Sequence, residues 1–163
     1  MRLILAALAV ALMAPPAMAQ DAPEEGPAYK FSFDIGPGFL MAVDDTADAA
    51  GVEVYVAAAI HPSRRFAIGV RVNATTIEGE VGAARIKGSP WGFGRFYMTG
   101  LEGGLRTYVE VAASALGTIA VRGGAEVGVA AGTAMFANVD GRKLSEEDAK
   151  DLIGLSGGMR IKF

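Results

Sequence analysis

Apolar and polar residues alternate with a period of two along most of the chain. Tyr29, Phe31, Phe33, Ile35, Phe39 and Met41 are interleaved with Lys30, Ser32, Asp34, Gly36 and Gly38. A strand sends successive side chains to opposite faces, so this spacing predicts a strand with one aromatic face and one small or charged face. Val52, Val54, Val56, Ala58 and Ile60, set against Glu53 and Tyr55, predict a second strand. Phe66, Ile68, Val70 and Val72, set against Gly69, Arg71 and Asn73, predict a third, and His61-Pro62-Ser63-Arg64-Arg65 between them reads as a tight turn. Leu105, Thr107, Val109, Val111 and Ala113 alternate with Arg106, Tyr108 and Glu110 as a further clear strand.

Other stretches obscure the pattern. Trp91 and Phe93 share one parity while Phe96 and Met98 share the other. A bulge near Gly94-Arg95 would repair that phase and turn Arg95 to the polar side. From Thr118 to Met135 the odd positions Ile119, Val121, Val127 and Val129 stay apolar while Arg122 and Glu126 take the even side. That run is too long for one membrane strand, so a turn is hidden in it. A hairpin at Gly123-Gly124 would expel Glu126 outward; a break near Gly132 keeps the charges on one side. Glu78 to Lys87 reads as a long loop or a weak strand, and Asp44-Asp45-Thr46-Ala47-Asp48 as an acidic loop. Residues 138–152 read as a polar excursion, in which Ser145-Glu146-Glu147-Asp148 has the N-cap and acidic first turn of a short helix.

The final stretch Gly157-Gly158-Met159-Arg160-Ile161-Lys162-Phe163 alternates strictly and finishes on an aromatic residue. Gly158, Ile161 and Phe163 resemble the terminal recognition strand of bacterial outer-membrane β-barrels, although Gly157 stands where that pattern has a polar residue. The resemblance implies that these three residues act as an assembly signal, read by the barrel-assembly machinery.

The amino-terminal stretch points to the same compartment. Arg2 is followed by Leu3 to Ala14 without a polar residue, then Pro15-Pro16 and Ala17-Met18-Ala19 before Gln20. This is the pattern of a secretory signal peptide over residues 1–19, and its apolar run is shorter than the roughly 20 residues of a spanning helix. The acidic, proline-containing residues 20–28 read as a flexible leader. Residues 1–19 contain one arginine and no acid, so their removal takes the formal charge from −3 to −4. With no basic block, nucleic acid is not an expected partner. The absence of cysteine removes disulfides and thiolate metal sites. In a bilayer, such a chain must satisfy its backbone as a closed barrel.

A soluble sandwich or lipocalin-like barrel would carry its apolar face inside and many Lys, Glu, Thr and Ser outside. Here the polar face is rich in glycine and sparse in charge, which suits a narrow lumen. Residues 29–163 look like the small eight-stranded outer-membrane barrels of the opacity-protein and outer-membrane-protein-X type. The expected fold is therefore all-β: a closed, antiparallel, up-and-down transmembrane β-barrel of eight strands, with a short helical turn in the last loop. Eight strands of about ten residues use roughly 80 positions, leaving room for loops. Following the alternation inward collects Asp34, Glu53, Glu110 and Glu126 with Arg71, Arg95, Arg106, Arg122 and Arg160 as a luminal charge network. Both termini and the 61–65 turn are expected in the periplasm, with 44–51 and 138–152 outside.

Candidate chemistry is thin. His61-Pro62-Ser63 is similar to the His-x-Ser pair of outer-membrane lipid A deacylases, but it lies in an early turn with no assignable carboxylate. Gly154-Leu155-Ser156-Gly157-Gly158 fits a hydrolase pattern that needs a downstream histidine, and none follows. Asp44, Asp45 and Asp48 lack calcium-loop spacing. No cofactor is implied. The expectation is a monomeric, non-enzymatic barrel of the cell outer membrane with a plugged polar lumen. Its partners would be lipids and lipopolysaccharide, and its loops would serve adhesion or envelope integrity. A lipid A-modifying hydrolase and a soluble periplasmic ligand-binding β-barrel are the alternatives. Deleting Phe163 should leave the chain in the periplasm or degraded, measured by fractionation; normal outer-membrane levels of the truncated chain would refute the assembly signal.

Overall fold

The computed structural model describes residues 29–42, 50–78, 90–98, 104–115, 117–143 and 151–163. Eight strands follow one another: β1 (Phe31–Ala42), β2 (Ala50–Ser63), β3 (Phe66–Glu78), β4 (Pro90–Tyr97), β5 (Leu105–Ser114), β6 (Ile119–Ala130), β7 (Thr133–Lys143) and β8 (Leu152–Lys162). Each pairs antiparallel with its neighbour in sequence, and β8 returns to β1, so the sheet is a closed up-and-down barrel. Closure leaves no unpaired strand edge.

The register fixes the barrel's shape. A circuit of paired residues leaves β1 at Ser32 and passes through Ala59, Gly69, Phe93, Ala112, Ala120, Arg142 and Leu152. It re-enters β1 at Ala42, ten residues further along. With eight strands, ~3.3 Å rise per residue and ~4.7 Å between strands, that stagger tilts the strands by ~40° and gives a backbone diameter of ~16 Å. An eleven-residue strand such as β7 then rises about 27 Å along the barrel axis, enough for the roughly 25 Å apolar band of a membrane barrel.

The wall is apolar outside and polar inside. Phe31, Phe33, Ile35, Phe39, Val54, Val70, Val111, Val129, Met135 and Leu155 are among the large side chains that project outward. Val70, for example, is 61% exposed. On β1 and β2 the burial pattern alternates strictly, outward odd residues against buried even ones on β1 and the reverse on β2. An apolar belt running round the whole barrel far exceeds the few hundred Å² a monomer leaves to water.

Three local differences from the sequence pattern have physical reasons. The β3–β4 and β4–β5 registers run without interruption, so there is no bulge at Gly94-Arg95. Trp91 and Phe93 instead point inward with Arg95 and Tyr97, because buried guanidinium groups supply partners for their rings: the Arg71 Cζ lies 5.3 Å from the Trp91 centroid and that of Arg95 5.0 Å from Phe93. The irregularities fall elsewhere, between Ile60 and Ser63 and between Gly128 and Ala130. Residues 138–143 are not loop; they complete β7, and β2 likewise runs on to Ser63, leaving Arg64-Arg65 as the turn. Tyr29 leaves the outward aromatic row, its ring 4.5 Å from that of His61 and 4.9 Å from the Lys162 ammonium.

The hidden break after β6 falls at Ala131-Gly132, where Gly132 takes φ +70° and its carbonyl accepts the Lys162 amide at 2.7 Å. A Cβ there would sit 2.9 Å from the Lys162 carbonyl, so glycine is needed for space as well as conformation. The start of β1, the end of β8 and the connections after β2, β4 and β6 share one rim; those after β1, β3, β5 and β7 share the other. The acidic 44–48 loop, the uncertain 79–87 stretch, the helical turn at 145–148 and residues 1–28 lie outside the described residues.

Val72 sits midway along β3 and is 52% exposed on the outer wall. Val72→Arg should lower unfolding stability in lipid vesicles by ~2–4 kcal/mol, read by urea titration of refolded protein. An unchanged midpoint would show that this wall does not face hydrocarbon.

Candidate functional site: the charged lumen

Inward positions along the eight strands converge on one ion-paired cluster. Asp34 on β1 faces Arg160 on β8 across the closing seam, and their side chains meet fork to fork: Nε donates to Oδ1 at 2.7 Å and Nη2 to Oδ2 at 2.8 Å. Arg95, on β4 across the barrel, donates to the same Oδ2 at 3.0 Å. It also holds Glu110 Oε2 through Nε at 2.9 Å and Nη2 at 2.6 Å. Glu110 Oε1 accepts Arg71 Nη1 at 2.9 Å and lies 3.7 Å from Arg122 Nη1. At the terminal rim, Glu126 takes Arg160, Arg106 at 3.3 Å and Lys162 at 2.6 Å.

All nine side chains picked out by alternation are thus inside, each under 5% exposed. Sequence reasoning missed others. Arg122 Nη2 donates to Asp140 at 3.3 Å, and Arg142 bridges Asp140 (2.6 Å) to both oxygens of Glu53 (2.9 and 2.5 Å). Glu53 also accepts Asn73 Nδ2 at 3.0 Å. Asn138 accepts the Tyr108 hydroxyl and donates to Tyr55 and Ser156, each at 3.3 Å. These β7 residues extend the cluster into one connected chain from Lys162 to Asn73. Their signal was the continued even parity of Asn138, Asp140 and Arg142, obscured because the odd positions Gly141 and Lys143 are not apolar.

Small residues make the space. A Cβ on Gly154 would fall 2.7 Å from Asp140 Oδ1, and one on Gly124 would fall 2.6 Å from the Tyr108 ring. Aromatic rings fill the remainder: Tyr97 accepts Arg160 at 3.1 Å, and the Arg106 Cζ lies 3.7 Å above its ring. Desolvating an ion costs several kcal/mol, so the connected geometry, with most groups holding two partners, is what makes so many buried charges tolerable.

The candidate assembly residues lie on β8 and just beyond it. Gly158 is half-buried in the wall, while Ile161 and Phe163 project outward at 39% and 70% exposure. The Phe163 carbonyl accepts the Lys30 amide at 2.7 Å and its own amide donates to Phe31 at 2.9 Å. His61 and Ser63 do not form a pair. His61 Nε2 lies 2.9 Å from Ser32 Oγ, buried beneath Tyr29, and Ser63 is exposed. Among the described residues no group of three or more potential ligands is placed to hold a metal ion.

An apolar outer wall around a charged interior defines the class: a closed eight-stranded barrel built inside out relative to a soluble one. No family model and no curated protein matches the chain. Solved structures do. A barrel from "De novo design of transmembrane beta-barrels" is 14% identical, covering 86% of this chain and 100% of its own, with a TM-score of 0.58. The crystal structure of Neisserial surface protein A is likewise 14% identical, covering 82% and 97%, with a TM-score of 0.59. Likeness at this identity establishes the shared fold.

Removing one partner of a buried pair should cost ~3–5 kcal/mol where the other is left uncompensated. Arg142→Ala strands Glu53 and should destabilise by that amount in urea titrations. Arg106→Ala should cost less, because Glu126 keeps Arg160 and Lys162. Equal effects would mean that the cluster does not act as discrete pairs.

Proposed function

We propose that the chain is a non-enzymatic integral barrel of the outer membrane, akin to the opacity-protein and outer-membrane-protein-X type. In this reading the lumen is plugged and the work is done by the surface loops. The observation that carries it is the inversion of the wall: apolar side chains outside over about a membrane's thickness, charges inside. The export pattern of residues 1–19 and the terminal aromatic strand support the same compartment. The similar fold of a protein named for the neisserial surface, and of designed transmembrane barrels, is consistent with it.

The termini and the connections after β2, β4 and β6 then face the periplasm, and the rim carrying the 43–49, 79–89 and 144–150 connections faces outward, as is usual for this architecture. Lipids and lipopolysaccharide surround a monomer, the assembly machinery reads Gly158, Ile161 and Phe163, and the loops act in adhesion or envelope integrity. The plugged reading rests on width: a ~16 Å backbone diameter is filled by arginine and tyrosine side chains meeting across it. Purified protein in planar bilayers should show no large, stable conductance, and a tag at Asp148 should be reached by antibody on intact cells. A reproducible ion-selective channel would defeat the plug, and an inaccessible tag would reverse the orientation.

A further inference from the structure

Five carboxylates (Asp34, Glu53, Glu110, Glu126 and Asp140) face six buried guanidinium groups among the described residues. The shortfall is not spread evenly. Glu110 serves three arginines, and two of them have a second carboxylate: Arg95 has Asp34 and Arg122 has Asp140. Arg71 has Glu110 alone, reached through Nη1. Its Nε and Nη2 are buried without a hydrogen-bond partner.

Those two N–H groups point the same way and form the side-on fork of the guanidinium, which matches a pair of oxygens bidentately. Arg160 shows the same fork filled, by Asp34. Directly across the β3–β4 ladder from Arg71 is Trp91, 2% exposed, whose Nε1 donor is also unpartnered. Toward the loop rim, Asn73 Oδ1 and the half-buried Thr75 Oγ1 on the same inward face of β3 are unpartnered too. A buried cation that shares its one carboxylate with Arg95 and Arg122, and the three unpartnered donors Arg71 Nε, Arg71 Nη2 and Trp91 Nε1, thus fall together in one sector of the lumen. Leaving a buried donor unpaired is costly.

We propose that this sector binds a small free oxyanion, of the phosphate, sulfate or carboxylate kind, clamped by the Arg71 fork with the Trp91 indole N–H as a third donor. The anion supplies the missing negative charge and enters from the loop rim past Thr75. A monatomic halide carries the charge but not the paired oxygens, so it binds far less well. The site is a counter-charge inside the plug and is independent of the membrane orientation and of loop function.

Trp91 is the chain's only tryptophan, so it reports on the site directly. Full-length protein folded in detergent is titrated with sodium sulfate or sodium phosphate against sodium chloride at constant ionic strength, following Trp91 emission and the thermal unfolding midpoint. Sulfate and phosphate should give a saturable emission change and a higher midpoint, and chloride neither. Arg71→Lys keeps a cation opposite Glu110 but removes the fork, and should weaken the apparent affinity by about tenfold or more. A response that is absent, unsaturable, equal with chloride or unchanged in Arg71→Lys overturns the site. Should the variant not fold, the single indole N–H resonance of the wild-type protein decides: sulfate must move it saturably, and an unmoved resonance overturns the proposal.

Discussion

Closure at the β1–β8 seam is the constraint on which the rest of the barrel depends. The two strands are the most distant in sequence, and an open seam would leave two unpaired edges. The backbone ladder there is incomplete: pairing passes from Ile35 with Met159 to Gly38 with Ser156, skipping Gly36 and Pro37, and proline has no amide to give. Just beside the gap, Asp34 and Arg160 face each other and make a two-bond fork. Arg95 then ties that fork to the opposite wall. A two-bond side-chain link therefore stands beside the interruption in the seam's ladder.

The interior follows from that geometry. A barrel with eight strands and a ten-residue stagger is too narrow for a water-filled lumen and too wide for facing strands to touch. Long side chains must reach across, and arginine does so while retaining several donors for carboxylates and tyrosines. Glycine at positions such as Gly124 and Gly154 yields the room that Tyr108 and Asp140 take. Glu110 alone meets Arg71, Arg95 and Arg122, so carboxylates are shared and the interior carries more cationic than anionic groups among the described residues.

The outer wall and the interior constrain function differently. The wall needs only apolar bulk, which fits a fold shared with two solved barrels at only 14% identity. The interior demands more of the sequence, since each ion pair depends on a particular residue at a particular height. His61 illustrates the point: next to Ser63 in sequence it suggests a catalytic pair, whereas in the barrel it is buried against Ser32, Tyr29 and Tyr97.

The sequence by itself determined which way most side chains face. Period-two alternation is local, and it assigned Asp34, Glu53, Arg71, Arg106, Glu110, Arg122, Glu126 and Arg160 to the interior without knowledge of any partner. It also favoured a break near Gly132 over one at Gly123-Gly124, because the latter would have turned Glu126 to the apolar side. Where the outward positions were glycine or lysine, as along 138–143, or where aromatics turned inward, as at Trp91 and Phe93, the local contrast vanished and the reading failed. Which residues meet was decided by the tertiary structure alone. Partnerships such as Arg142 with Glu53 and Arg95 with Asp34 join strands far apart in the sequence. They depend on the stagger accumulated around all eight strands, a property that no single stretch of the chain contains.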